Sequence, residues 1–183
     1  MAQRLLFVRA RHRLASLAGR FARADQGATA VEFALVALPF LMLVFAIIEL
    51  GLVLLVSLTL ENAVIDVGRT IRTGQVQTTG GTAATFKTAV CAKMSWLGAN
   101  CSGALSIDVR TYADYASTST SNANTIVPTT MNWNPGGSGS IVLVRAYYSW
   151  PLITPLLQTG LQTSGGKRII YAATAFTNEP YDQ

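Results

Sequence analysis

The chain has 183 residues and a mass of 19.5 kDa, with half of its residues apolar and only 13% charged. That length suits one domain of ordinary size and excludes several large ones. A charge content about half of the usual quarter excludes a disordered polyelectrolyte. The net charge of +5 hints at a nucleic-acid binder, but its distribution argues otherwise. Residues 1–26 carry Arg4, Arg9, Arg11, Arg13, Arg20 and Arg23 against Asp25 alone, and the remainder holds equal numbers of acidic and basic side chains. The whole excess is a short N-terminal leader.

After the leader comes an apolar run. Phe33 to Ile48 contains no charged or strongly polar side chain, and after Glu49 the run resumes to Leu60. A membrane helix needs about 20 mainly apolar residues, so this stretch predicts a retained anchor. A cleaved secretory signal has a shorter apolar region of about 7–15 residues and a small-residue cleavage site after it. Here Glu61 follows instead. Arginines flanking a span stay on the cytoplasmic side. The N-terminus is therefore expected in the cytoplasm and residues 61–183 outside it.

Helical spacing of Leu60, Val64, Val67 and Ile71 carries the helix past the membrane, with Asp66 and Arg69 three apart and able to pair, and Gly74 as its stop. Pro39 removes one backbone donor inside it and predicts a kink. Residues 75–81 read as a polar linker. Residues 82–97 read as a short amphipathic helix with Phe86, Val90, Met94 and Leu97 on one side. Alternation at Leu105, Ile107 and Val109 predicts a half-buried strand. Residues 113–140, rich in Ser, Thr, Asn and Gly, read as a long exposed loop offering a binding surface. Strands follow at 141–150, ended by Pro151 and Pro155, and at 168–176. The fold class is α+β: a long N-terminal transmembrane helix, then a small head with a short helix and an antiparallel sheet. The organisation is a leader at 1–27, a transmembrane and stalk helix at 28–74 and a head at 75–183.

Cys91 and Cys101 are the only cysteines, and both fall on the oxidising side of the membrane. A disulfide between them is expected, with two buried thiols as the alternative. Two cysteines without histidine cannot make a zinc site of the usual ligand number. The one histidine, His12, lies in the leader. The acids of the head, Asp108, Asp114, Glu179 and Asp182, show no spacing for acid–base work. Gly136 to Ser140 lacks the lysine and helix of a phosphate-binding loop. No basic aromatic surface suggests nucleic acid. No enzyme activity, metal or cofactor is expected.

Two acidic residues remain, because an ionised carboxylate at bilayer depth is costly. Glu49 has three readings: it faces a partner helix, it pairs with a cation, or it stays protonated. Glu32 belongs to the stretch Gly27-Ala28-Thr29-Ala30-Val31-Glu32-Phe33, between the arginine leader and the span. That stretch resembles the cleavage region of type IV prepilins, where a membrane protease cuts after a glycine and the fifth mature residue is glutamate. Here the cut falls between Gly27 and Ala28. The Glu32-Phe33 pair, and Ala28 rather than phenylalanine as the first mature residue, resemble the Flp branch. The longer stretch GATAVEFALVALPFLMLVFAIIELG at 27–51 resembles the N-terminal signature of TadE-like proteins, minor pilins or pseudopilins of the tight-adherence (Flp pilus) system. VLVRAYYSWPLITPLL at 142–157 and FTNEPY at 176–181 resemble the C-terminal part of that family.

The resemblance implies processing by a prepilin peptidase and a place in pilus initiation, assembly or the tip. Its implied partners are other Tad pilins and the inner-membrane assembly platform. Glu32 would pair with the new N-terminal amine of a neighbour, Glu49 would serve helix packing or charge pairing, and the head would lie in the periplasm. Two other readings stay open: a type II secretion pseudopilin, and an uncleaved single-pass membrane protein whose head binds a ligand or a surface.

Overall fold

The structure is a computed structural model that describes residues 27–97, 100–120, 127–163 and 165–181. The expectations for the arginine leader, His12 and Asp182 lie outside the described residues. The chain divides into two compact units, Met1–Phe45 and Ala46–Gln183. The division falls within the long helix, so the helical residues after Phe45 belong with the head.

Helix α1 runs from Ala28 to Arg72 without a break at Pro39. In its first unit nearly every large side chain is exposed, Phe33 to 74% and Leu35 to 71%. A helix this apolar stays exposed in water only at a cost, and lipid removes that cost. The helix is long and apolar enough to cross a membrane. It ends where Gly74 takes a φ of +79°, a conformation that suits glycine. A side chain there would also strike the Tyr181 ring, since a Cβ would sit 2.4 Å from its Cγ.

In the second unit α1 acquires a buried seam. Val56, Leu60, Ala63, Val64, Val67 and Ile71 are all buried, a spacing of three and four residues that keeps one face toward the head. The short helices α2 (Gln75–Thr78) and α3 (Ala83–Lys93) follow. A capping box between Thr82 and Thr85 starts α3. The expected pairing of Asp66 with Arg69 is replaced: Asp66 meets Lys93 at the end of α3, 3.4 Å away. The expected linker at 75–81 is folded against the head, because the Gln77 amide donates to the Ile71, Pro135 and Gly136 carbonyls.

A single turn at Ser95–Leu97 and helix α4 (Asn100–Ala104) lead into the sheet. Its strands are β1 (Leu105–Tyr112), β2 (Ile141–Pro151) and β3 (Lys167–Thr177), antiparallel in the order β1-β2-β3. Helix α5 (Tyr115–Thr120) follows β1, and α6 (Pro155–Leu161) joins β2 to β3. The inner face of the sheet carries Ile107, Val109, Val142, Val144, Ala146, Ile170 and Ala172, and packs with the α1 seam, with Phe86 and Val90 of α3 and with Met94 just after it. The approach is close at Gly68, where an added Cβ would stand 3.4 Å from Phe176 and from Thr174. The α+β architecture is the expected one. The Cys91–Cys101 disulfide is formed and ties α3 to α4.

Of the expected exposed loop at 113–140, residues 121–126 lie outside the described residues, and the part around Trp133 departs from it. Trp133 bridges to Val109 at the β1 edge, packs its ring at a tilt against Phe86 with centroids 5.5 Å apart, and donates its indole N–H to the Gly81 carbonyl. The apolar ring finds the core, and the backbone around it closes the open edge of β1.

Candidate functional site

The head holds a buried ion cluster. Asp108 of β1 and Arg145 of β2 are register partners, with relative exposures of 0% and 2%. Arg145 donates from Nε and Nη2 to Asp108 Oδ2, Arg110 donates from Nε to the same carboxylate at 3.1 Å, and the Asn132 N–H donates to Oδ1 at 2.7 Å. Burial opposes the charge on Arg145, but the Asp108 carboxylate outweighs it and raises the guanidinium pKa. Beside the cluster Tyr147 is buried, and its pKa is pushed up to about 12, chiefly by that burial. The cluster fastens β1, β2 and the 127–134 segment together. Its carboxylate is buried and engaged by three donor groups. Among the described residues no group of three His, Cys, Asp or Glu side chains is placed to hold a metal ion.

The two carboxylates of α1 lie in contrasting settings. Glu32 is exposed and has no hydrogen bond or ion pair among the described residues. Gly27, in 3-10 conformation just before α1, is also exposed, and its Cα has open space around it. Phe33 projects from the helix beside them. These residues form an uncovered N-terminal surface.

Glu49 is buried to 4% exposure in the second unit. Its two oxygens accept two consecutive backbone N–H groups: Ile153 N–H to Oε1 at 2.6 Å and Thr154 N–H to Oε2 at 2.7 Å. These donors belong to the turn between β2 and α6. A carboxylate bound in this two-pronged way needs no cation, because two N–H dipoles point at it. Backbone donors stood outside the three readings that the sequence alone allowed. A signal was nonetheless present, because Glu49 is seven residues before Val56 and so continues the seam of α1 toward the N-terminus.

A second fastening closes the other end. The Glu179 N–H donates to the Arg72 carbonyl at 2.8 Å, and the two side chains pair at 3.0 Å.

Among the described residues one apolar helix is able to cross a membrane, and joined to a small disulfide-bonded α+β head it suggests a membrane-anchored single-pass protein. Comparison adds a likeness for one segment: the model of the TadE-like protein family matches residues 27–69, from the glycine before α1 to the last turns of its seam. This segment is TadE-like, as its residues led one to expect, which suggests involvement in the Tad pilus. The match ends before the head. Neither the curated proteins nor the solved structures give a match to the chain.

Proposed function

We propose that this chain is a minor pilin or pseudopilin that acts in Tad pilus biogenesis, is made with a basic leader and is cut by a prepilin peptidase between Gly27 and Ala28. The observation that carries this reading is that three boundaries fall within a few residues of one another. The family match begins at Gly27, α1 begins at Ala28, and the excess positive charge ends in the leader before both. An exposed glycine at the start of α1, without a side chain, lets a protease cleft approach the backbone closely. Cutting there makes Glu32 the fifth residue of the mature chain, close to a new amine. Its free carboxylate suits pairing with the N-terminal amine of a neighbouring subunit in a poorly hydrated bundle.

In this reading the role is structural rather than enzymatic. The leader holds the cytoplasmic side, and the head stands in the periplasm of a bacterial inner membrane. The partners are other Tad pilins and the inner-membrane assembly platform. The test is the N-terminal sequence of the protein recovered from membranes with and without the prepilin peptidase. A mature chain starting at Ala28 only when the peptidase is present supports the proposal. A chain starting at Met1 in both cases overturns it.

A further inference from the structure

Among the described residues of the head, the turn held by Glu49 carries the most exposed large apolar side chain. Ile153 is 75% exposed, although both its own N–H and that of Thr154 are spent on a buried carboxylate. A surface turn in water has no need of such an arrangement, since water satisfies its amides. In hydrocarbon every backbone donor must be satisfied from within the protein, and irregular backbone is tolerated only on that condition. The level of the turn along α1 agrees. About 20 residues at about 1.5 Å each cross the hydrocarbon, so a span counted from Thr29 reaches Glu49. The apolar surface of α1 continues higher still, through exposed Leu50, Leu54 and Leu58. Lys167 completes the pattern: it is exposed, pairs in register with Pro151 and lies at the same end of the sheet.

We infer that the turn Pro151–Thr154 is a membrane-inserted foot. Ile153 enters the boundary between headgroups and acyl chains of an anionic phospholipid bilayer, Lys167 meets the headgroup phosphates, and Glu49 makes insertion possible by satisfying the amides of the turn. The occupant is lipid because Glu49 holds the turn at a point of α1 flanked by exposed Ile48 and Leu50, and because exposed Lys167 offers a cation at the same end of the sheet. This rests on the reading of α1 as a membrane anchor.

The test uses the full chain in vesicles of phosphatidylglycerol and phosphatidylethanolamine. The native cysteines are joined, and no free thiol competes. Ile153→Cys, Phe40→Cys and Thr79→Cys are each labelled with an environment-sensitive fluorophore. All three positions are exposed, so the label does not disturb packing. The expected result is that the label at 153 is blue-shifted and loses most of its emission to a lipid spin-labelled near the headgroup. The label at 40 should be quenched better by a spin label deep in the acyl chain, and the label at 79 only by aqueous iodide. Quenching at 40 with an iodide-accessible label at 153 overturns the foot and leaves the anchor standing. Protection at 153 from both lipid and iodide also overturns it, since a protein then covers the turn. No lipid quenching at 40 overturns the anchor and the foot together.

Discussion

Glu49→Ala removes a single acceptor group and strands two amides. Both bonds run from a backbone N–H to a buried carboxylate, at 2.6 and 2.7 Å, and hydrogen bonds to charged groups contribute about 1.5–3 kcal/mol each. The pair is therefore worth roughly 3–6 kcal/mol to closure of the turn, a large share of the 5–15 kcal/mol that holds a typical domain. Glu49→Gln keeps one acceptor oxygen and turns an amide N–H toward the other donor, so it loses about half of that. Glu49→Asp is one methylene too short to reach both donors. The assay is native-state hydrogen exchange of the reconstituted chain. Opening of the turn, read at the Ile153 and Thr154 amides, should quicken by two orders of magnitude or more in the alanine variant, since about 1.4 kcal/mol is tenfold. The Val109 amide, bonded to the Asn132 carbonyl at the far edge of the sheet, should keep its rate. Unchanged exchange at both turn amides in Glu49→Ala would refute the reasoning, because the carboxylate would then not be what closes the turn.

In the head, Arg145→Leu leaves the fully buried Asp108 short of its main cation and should cost about 3–5 kcal/mol in denaturant unfolding, whereas joint replacement of Arg145 and Asp108 by apolar residues should cost clearly less. Reducing the Cys91–Cys101 bridge, which closes a sequence separation of 10, should cost roughly 2–3 kcal/mol, seen as a lower thermal midpoint with reductant that a Cys91→Ala variant does not show. Tyr147 titrates about 12 in the fold against about 10 unfolded. The folded state therefore holds the phenol proton more tightly. The stabilisation it brings is complete below pH 10 and is lost as pH rises through about 12. An ultraviolet tyrosinate titration should lose its latest step in Tyr147→Phe, and that variant should resist alkaline unfolding better than the parent chain.

Much of this was legible where periodicity speaks for itself. The seam Leu60, Val64, Val67 and Ile71 follows helical spacing, and all four residues are buried. The three strands rest on alternation and β-branched runs, and each lies within two residues of the expected bounds. What stayed hidden depends on partners distant in the chain. Glu49 lies 104 residues from Ile153, and no local pattern names a backbone amide as a partner. Asp108 and Arg145 are 37 apart, and each alone reads as the polar member of an alternating strand. Once paired and desolvated they fill the outer side of the sheet, so both faces of β2 are buried although its pattern suggests one. Trp133 sat in a stretch whose composition reads as loop, yet its ring packs against the core and its backbone bridges to β1.

The two fastenings of α1 also explain why the seam tolerates no change of length. From Glu49 to Arg72 the helix rises about 35 Å, and β3 covers about 33 Å from Lys167 to Thr177. Helix and strand thus match in length, and each end is closed by backbone bonds: the Glu49 carboxylate to the turn beyond β2, and the Arg72 carbonyl to Glu179 beyond β3. Neither fastening fixes the rotation of the helix alone. Together with the seam they do, because a residue inserted between Glu49 and Val56 would swing the carboxylate by about 100° about the helix axis, away from the amides it serves. A polar residue at position 49 is therefore as much a part of the packing of the helix as Val56 or Leu60. Its acidity belongs to the turn it holds, and this accounts for a carboxylate in the middle of an apolar run.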